Sequence, residues 1–236
     1  FFYGSPALGS IQLINKANLT QVPSKVFDTH VARPSAVCTN NNNEVLFSNN
    51  APPVYWPFIS KVDTSGDKPA DLVFSSENTP PGVAISSMAY DSTSDQVFFM
   101  YEELNPNKKP FANQTYGAIQ RYSAGDTEPF HVYTLNVSAK VPNSFDIDEK
   151  NQTVYYATNG VSIGDTRSFG GIYSIGYSGG DSHLEVNIQA LNSTAFSVSS
   201  VQFANDNLFY LMQGPYATII AKYNLNTAEE TIVYNA

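Results

Sequence analysis

Short runs of alternating polar and apolar residues, separated by turns, make up most of this sequence. The clearest stretch begins with Asn-Ser-Phe-Asp-Ile-Asp at 143–148 and continues with Thr-Val-Tyr-Tyr-Ala at 153–157. After a loop it ends with Ile-Tyr-Ser-Ile at 172–175 and Leu-Glu-Val-Asn-Ile at 184–188. Alternation with a period of two, bounded by Gly, Asp and Asn, is typical of β-strands. The stretch therefore predicts four short strands joined by turns.

The same unit recurs along the chain with a constant internal spacing. Asp148, Asp91 and Thr39 each lie six residues before the valine that opens a second strand. The matching second strands are 45–47, 97–99, 154–156 and 208–210, and the matching third strands are 59–62, 119–122, 172–175 and 220–223. Repeats of about fifty residues with four short strands are the pattern of β-propeller blades. We therefore predict an all-β propeller of about five four-stranded blades in one domain, 1–236.

The first of these blades is predicted to be incomplete. Phe-Phe-Tyr at 1–3 matches the second strand at 208–210, and 11–14 then takes the place of a third strand. The innermost strand of this blade should precede residue 1. Its absence would expose an unpaired strand edge, which an upstream segment or another chain could occupy. This edge is a candidate for self-assembly.

Residues 145–158 carry a resemblance to known proteins. The run Phe-Asp-Ile-Asp-Glu-Lys-Asn-Gln-Thr-Val-Tyr-Tyr-Ala-Thr resembles the YWTD and NHL classes of β-propeller. Their blades have an apolar-x-apolar-Asp run, a short turn and an apolar-aromatic-aromatic strand. No blade here contains a true Tyr-Trp-Thr-Asp, and those classes are commonly six-bladed. The resemblance implies an architecture and no particular function.

The long predicted loops all lie on one face of the propeller. They join strands two and three of a blade, or one blade to the next, and include 51–57, 105–116 and 160–170. Long loops on a rigid scaffold commonly carry recognition, and aromatic and arginine side chains are favoured contact residues. The alternative is that these aromatics pin the loops onto the propeller. The candidate binding residues are Tyr55, Trp56, Phe111, Tyr116, Arg167, Phe169 and Tyr216.

Composition and charge exclude some classes of partner and favour a location outside the cell. The net charge is -9, so a nucleic-acid backbone would be repelled. No apolar run is long enough to cross a bilayer as a helix. The low lysine content and the abundance of Tyr and Asn favour an extracellular or cell-surface protein. Five N-x-S/T sequons, about as many as chance predicts, fall in predicted turns or loops. These candidate N-glycosylation sites are Asn18, Asn113, Asn136, Asn151 and Asn192.

Few residues suggest catalytic chemistry or a cofactor. The three histidines, His30, His131 and His183, have no metal-ligand spacing, and the single Cys38 is predicted to be a buried apolar residue. No cofactor or metal site is predicted. The repeat alignment places four serines and one acid near the mouth of the central channel, where they form either a solvent-facing strand entry or a ligand collar. These channel residues are Ser35, Ser87, Ser144, Ser200 and Asp146.

The sequence leaves three functions open. The leading hypothesis is a secreted or surface scaffold that binds a protein or glycan on its long-loop face, and it is a candidate subunit of a larger assembly. The first alternative is a calcium-dependent, lactonase-like hydrolase using Asp146 with Glu77, Glu102 or Glu103. The second is a lectin using Trp56 and the tyrosines near it. An enzyme is the less favoured reading, because only one acid lies on the inner strands at this mouth.

Overall fold

The structure is a computed structural model of the 236-residue chain. It describes residues 2–5, 10–13, 24–28, 34–49, 58–63, 71–75, 83–103, 117–134, 142–158, 161–163, 166–168, 170–188, 197–214 and 218–235. The elements of regular secondary structure in these ranges are β-strands. No helix in the part of the chain so described has the length and apolar character needed to span a membrane.

The strands form successive antiparallel sheets in chain order. The first sheet has three strands, β1 (Phe2–Ser5), β2 (Ser10–Leu13) and β3 (Ser24–Asp28). The second contains β4 (Pro34–Thr39), β5 (Glu44–Asn49), β6 (Phe58–Asp63) and β7 (Asp71–Ser75). The third contains β8 (Val83–Asp91), β9 (Gln96–Glu103), β10 (Gly117–Ser123) and β11 (Phe130–Thr134).

The fourth sheet carries an inserted hairpin. Its strands are β12 (Pro142–Asp148), β13 (Thr153–Thr158), β16 (Gly171–Gly176) and β17 (His183–Asn187). The hairpin β14 (Val161–Ile163) and β15 (Thr166–Ser168) lies between β13 and β16 in the chain, within the segment predicted as a plain loop. The fifth sheet contains β18 (Ser197–Ala204), β19 (Asn207–Gln213), β20 (Thr218–Asn224) and β21 (Glu229–Asn235).

Four complete four-stranded sheets preceded by a three-stranded one confirm the predicted fold class. In the first sheet β1 pairs with β2 and stands at the sheet edge. It packs beside β4, the inner strand of the next sheet, as β13 packs beside β18. The inner strand β12 also packs beside β18. The first sheet therefore has three strands among the described residues, and the absence of its inner strand in particular stays a prediction.

The chain divides into two compact units, each with its own apolar core. The first comprises residues 1–114 and 119–130, and the second comprises 115–118 and 131–236. In the first unit, Ile11 packs with residues of the second sheet, and the second sheet packs on Ile85, Val97 and Phe99 of the third. In the second unit the core lies between the fourth and fifth sheets. The prediction of one domain over 1–236 stays a prediction.

The constant six-residue spacing has a structural cause in the turn between first and second strands. The buried Asp148 accepts hydrogen bonds at Oδ1 from the backbone N–H groups of Lys150 and Asn151, at 3.1 and 3.2 Å. The buried Asp91 accepts equivalent bonds from Thr93 and Ser94, at 2.7 and 3.2 Å. A carboxylate that caps its own turn holds the turn at one length.

The second and fifth sheets use other residues for this turn. In the second sheet Asn40 Oδ1 accepts from the backbone N–H groups of Asn42 and Glu44, both at 3.0 Å. In the fifth sheet the turn is shorter, and Asn205 and Asp206 both adopt positive φ. Asn and Asp tolerate this conformation better than most residues. The second sheet thus keeps side-chain capping with a different residue, whereas the fifth sheet uses a shorter turn with two residues at positive φ.

Glycines occupy two of the predicted hairpin turns at positive φ. Gly125 has a φ of 98° between β10 and β11, and Gly180 has a φ of 114° between β16 and β17. A side chain at either position would be strained whatever space surrounds it. In both turns an aspartate follows the glycine, Asp126 and Asp181.

Candidate functional site

The sheets within each unit stack in one direction, so each presents a forward face to the next sheet. In the second sheet the forward face includes Leu46, Ile59 and Phe74, which pack on the third sheet. In the fourth sheet it includes Tyr155, Ala157, Ile172 and Val186, which pack on the fifth. All of these side chains are buried. A covered, apolar forward face is therefore a repeated feature of the fold.

The fifth sheet has the same forward face, and no other described sheet of its unit packs on it. Strand pairing places Leu211 opposite Ile220 and Ile220 opposite Tyr234, as it places Ala157 opposite Ile172 and Ile172 opposite Val186. We call this surface the fifth-sheet face. Its members are equivalent to the four forward residues of the fourth sheet, and they are Phe209, Leu211, Ile220 and Tyr234.

The exposure of these residues differs sharply from that of their equivalents. Phe209, Ile220 and Tyr234 are 36, 38 and 54% exposed, and Leu211 is half-buried. The opposite face of the same sheet, with Leu208 and Tyr210, is buried against the fourth sheet. Adjacent large apolar side chains that are exposed at a surface commonly mark an interaction site. The fifth-sheet face is the candidate functional site.

Polar groups beside the forward face join neighbouring inner strands. From β12, Ser144 Oγ accepts a hydrogen bond from Val201 N at 3.2 Å, and Asp146 Oδ2 accepts one from Phe203 N at 2.8 Å. Asn143 Nδ2 donates to Val198 O at 2.6 Å. Side chains of one inner strand therefore take the place of a backbone ladder between β12 and β18.

The same acceptor positions recur on the fifth sheet. Strand register makes Ser200 equivalent to Ser144, because they lie opposite Leu211 and Ala157. It makes Gln202 equivalent to Asp146, because they lie opposite Phe209 and Tyr155. Ser200 is half-buried and Gln202 is exposed. The fifth-sheet face is therefore bordered by two side chains whose oxygens can accept from an adjoining strand.

Asp146 is half-buried, and each oxygen of its carboxylate accepts a backbone hydrogen bond. Oδ1 accepts from Ile147 N at 2.9 Å, while Oδ2 accepts from Phe203 N. Burial raises the pKa of Asp146 above its ordinary value of 3.8, and the two backbone N–H groups offset part of that rise. Because its Oδ2 accepts the N–H group of Phe203, this acid joins β12 to β18.

The raised pKa of Asp146 predicts a specific dependence of stability on pH. Between 3.8 and the raised pKa, the folded state binds more protons at this site than the unfolded state does. The contribution of Asp146 to the free energy of unfolding therefore falls as pH rises through that window. We expect wild type to lose stability relative to Asp146→Asn as the pH rises through the same window. Urea melts between about pH 3 and pH 7 measure this difference.

An exposed acid provides the control for that experiment. Asp126 lies on the turn after β10, where Oδ2 accepts a bond from Ser123 N at 2.8 Å. Asp126→Asn tests whether any lost negative charge produces the same trend. A wild-type advantage over Asp146→Asn that grows as pH rises would contradict the prediction.

The predicted long-loop residues largely lie outside the described residues. Arg167 is within them, in β15 opposite Ser162. The prediction of a binding face formed by these loops stays a prediction. The residues outside the described ranges are Tyr55, Trp56, Phe111, Tyr116, Phe169 and Tyr216.

The four predicted channel serines all lie on the inner strands of their sheets. Ser87, Ser144 and Ser200 are half-buried, and Ser35 lies in β4. Ser144 bonds to the strand that carries Ser200. This local use of a hydroxyl is structural, and the proposed ring of serines stays a prediction.

The structure describes some of the remaining predicted residues and not others. Asn151 is exposed in its turn, and its Nδ2 donates to Asp148 Oδ2 at 2.7 Å. Cys38 packs against the core of the first unit, and burial raises the pKa of its thiol to about 12. His131 and His183 are exposed, and the described residues contain no group of three metal-ligating side chains. The candidate acids Glu102 and Glu103 lie at the end of β9. The others lie outside the described ranges, namely Asn18, Asn113, Asn136, Asn192, His30 and Glu77.

Sequence reasoning missed the fifth-sheet face. The segment 208–210 matches the second strands of the other sheets, so its pattern predicts an ordinary covered sheet. One signal was present in the outer strand, where Ile232, Val233 and Tyr234 follow one another without polar interruption. Strands exposed on one face normally alternate apolar and polar residues. A continuous apolar run in an outer strand therefore indicates surface that needs covering.

Comparison with known proteins gives likeness in structure without likeness in sequence. No protein-family model matches the chain, and no curated protein sequence matches it significantly. The TolB structure from Acinetobacter baumannii matches with a TM-score of 0.63 at 11% identity, over 97% of this chain. This chain spans half of that protein, covering 50% of it. A chain in a nidogen/laminin complex matches with a TM-score of 0.55 at 10% identity, over 99% of this chain and 91% of the other.

The fold is that of a β-propeller. A structure named as an enzyme has a similar fold. It is a putative 6-phosphogluconolactonase from Bacteroides uniformis, which matches with a TM-score of 0.54 at 7% identity, over 100% of this chain and 67% of the other. Likeness at such identities shows the fold alone, and propellers support many functions. The predicted resemblance to the YWTD and NHL propellers is confirmed as an architectural one.

Proposed function

We propose that this propeller is a secreted or cell-surface binding and structural scaffold, which docks a protein partner on its fifth-sheet face. The observation that carries the proposal is the contrast between two equivalent surfaces. On the fourth sheet, Tyr155, Ile172 and Val186 are buried beneath another sheet. On the fifth sheet, the equivalent Phe209, Ile220 and Tyr234 are apolar and exposed.

The chemistry of the face indicates the kind of partner. The fifth-sheet face has the same strand register as the face of the fourth sheet that packs on another sheet. Such an apolar surface suits a partner that presents a β-sheet. Ser200 and Gln202 occupy the positions from which Ser144 and Asp146 accept the N–H groups of Val201 and Phe203. The partner would therefore offer an extended strand with N–H groups at alternate residues. The nidogen/laminin complex, in which a similar chain is found, supports a protein partner.

The use of Asp146 as a link between strands favours a scaffold over a hydrolase. A metal-assisted hydrolase needs carboxylate oxygens directed at the ion, and calcium prefers several of them. Here both oxygens of the carboxylate accept backbone N–H groups. Thermal melts with calcium and with a chelator separate the two functions. A stabilisation by calcium that Asp146→Asn abolishes would favour the hydrolase.

Photo-crosslinking tests the docking face directly. A benzophenone amino acid replaces Phe209, and the full chain is exposed to the extracellular medium of its own source cells. We expect one discrete adduct, because the side chain at 209 lies in the face. Introducing Ile220→Lys into the same benzophenone-bearing chain should abolish that adduct, because a lysine placed in a desolvated apolar contact is costly.

Leu72 provides a matched control for the lysine substitution. It is an exposed aliphatic residue, at 64%, on β7 of the second sheet. Leu72→Lys should leave the adduct unchanged, because the residue belongs to another surface. An adduct that survives Ile220→Lys, or one that both lysine variants abolish equally, would count against the fifth-sheet face.

A further inference from the structure

A second surface of the fifth sheet is its outer strand, β21. It is seven residues long, whereas β3, β7, β11 and β17 have five residues each. Six of its residues are exposed, and it ends the sheet with an edge that no described strand covers. Proteins normally keep edge strands short or place charges and proline on them, because an open edge is a template for pairing.

The side chains of β21 are those of a strand that pairs. Ile232, Val233 and Tyr234 are 56, 59 and 54% exposed. The outer strands β7, β11 and β17 each bury one apolar residue, Phe74, Val132 and Val186, and each expose another, Leu72, Phe130 and Leu184. What distinguishes β21 from these three strands is that its exposed apolar residues are three in a row. β-Branched and aromatic residues favour strands, and such a run without charge or proline favours pairing with another strand. The apolar half of β21 is thus exposed on its side chains and along its backbone.

The charges of β21 select the orientation of a partner strand. Both acids, Glu229 and Glu230, lie at the start of the strand, and the apolar residues follow. A parallel, in-register copy would place each glutamate beside its own equivalent. An antiparallel copy centred on Ile232 would place Glu230 opposite Tyr234 and Glu229 opposite Asn235. Like charges directly opposite one another are destabilising, so the antiparallel arrangement is favoured.

We propose that this protein forms a two-fold dimer through antiparallel pairing of β21 with β21 of a second copy, centred on Ile232. Such an interface is isologous, so one pairing covers both edges and the assembly closes at two chains. A β-bulge at Val233 separates the Tyr234 and Ile232 pairings with β20. Bulges increase the local twist of a strand, which opposes flat stacking into longer assemblies.

This surface is distinct from the edge of β1, where the sequence alone suggested self-assembly. It shares Tyr234 with the fifth-sheet face but differs from it otherwise, because the dimer uses the outer edge of the sheet while the proposed partner docks on its broad face. The dimer therefore goes beyond the scaffold function. Failure of one proposal leaves the other open, since Ile232→Lys disturbs the edge and Ile220→Lys the broad face.

Light scattering after size exclusion of the full chain, across a concentration series, tests the dimer. We expect a species of twice the 25.8 kDa monomer mass that dissociates on dilution. In Ile232→Lys the two lysines would face each other across the two-fold axis, so the dissociation constant should rise about tenfold or more. Leu72→Lys, at a similarly exposed residue of β7, should leave the dimer intact.

Cysteine crosslinking tests the register. Directly opposed residues of antiparallel strands have Cα atoms about 4.5–5.5 Å apart, which is within disulfide range. Ile232→Cys should therefore oxidise to a covalent dimer. Glu229→Cys should not, because six residues of offset separate the two copies by about 20 Å. The buried thiol of Cys38, with a pKa raised to about 12, provides little competing thiolate.

Four outcomes would overturn the proposal. The first is a monomer at every concentration, and the second is a dimer that Ile232→Lys leaves unchanged. The third is efficient crosslinking of Glu229→Cys in place of Ile232→Cys. Open-ended aggregates in place of a discrete dimer would equally contradict the closed two-fold arrangement.

Discussion

Tyr155→Ala is expected to lower the free energy of unfolding by about 3–5 kcal/mol, whereas Phe209→Ala should change it by about 1 kcal/mol or less. The two residues hold equivalent positions on the second strands of adjacent sheets. Tyr155 is buried and stacks on Phe203 with 5.4 Å between ring centroids, and burial raises its pKa to about 12. Phe209 lies on the uncovered face, so its removal leaves no comparable cavity.

Urea denaturation of dilute protein measures this pair of variants. The chain is measured without its partner, because a protein bound to the fifth-sheet face would make Phe209 contribute more. Tyr155→Phe controls for the hydroxyl and should cost much less than Tyr155→Ala. Equal losses for Tyr155→Ala and Phe209→Ala would mean that the fifth-sheet face is covered in solution, contrary to the basis of the proposed function.

Asp148→Ala is expected to cost about 2–3 kcal/mol of the free energy of unfolding. Its buried carboxylate accepts two backbone N–H groups at Oδ1 and the amide of Asn151 at Oδ2. Hydrogen bonds to a charged acceptor are among the stronger ones, and their loss frees a turn that sets the register of β12 and β13. Thermal and urea melts measure the loss.

Two variants calibrate the Asp148 result. Asp148→Asn keeps an acceptor at one oxygen but places a donor against Asn151, so an intermediate cost is expected. Asp126→Ala removes a single bond from an exposed turn and should cost less than about 1 kcal/mol. If Asp126→Ala were as costly as Asp148→Ala, the buried turn would have no special role.

The repeat was predictable because its determinants are local. Asp91 and Asp148 cap turns through residues two and three positions later, so a fixed spacing in the sequence reports the turn directly. Gly125 and Gly180 likewise mark turns by their positive φ. Alternation then identifies the strands on either side. Four complete sheets and an incomplete first one follow from these short-range patterns.

The candidate site was harder to predict because equivalent residues have different surroundings. Tyr155 and Phe209 occupy the same place in the repeat, and no property of either residue alone says which will be covered. Asp146 is similar, because its sequence suggested a channel acid. Its role depends on Phe203 N, 57 residues away. Neither distinction could be drawn from spacing along the chain.

The sequence by itself determined the strands, their turns and the four-stranded repeat, since each depends on backbone preferences and hydrogen bonds between near neighbours. The tertiary structure decided which apolar faces are covered, which strand edge stays open, and that Asp146 links two strands. Those properties depend on which sheet stands next to which, and burial is settled by neighbours distant in sequence.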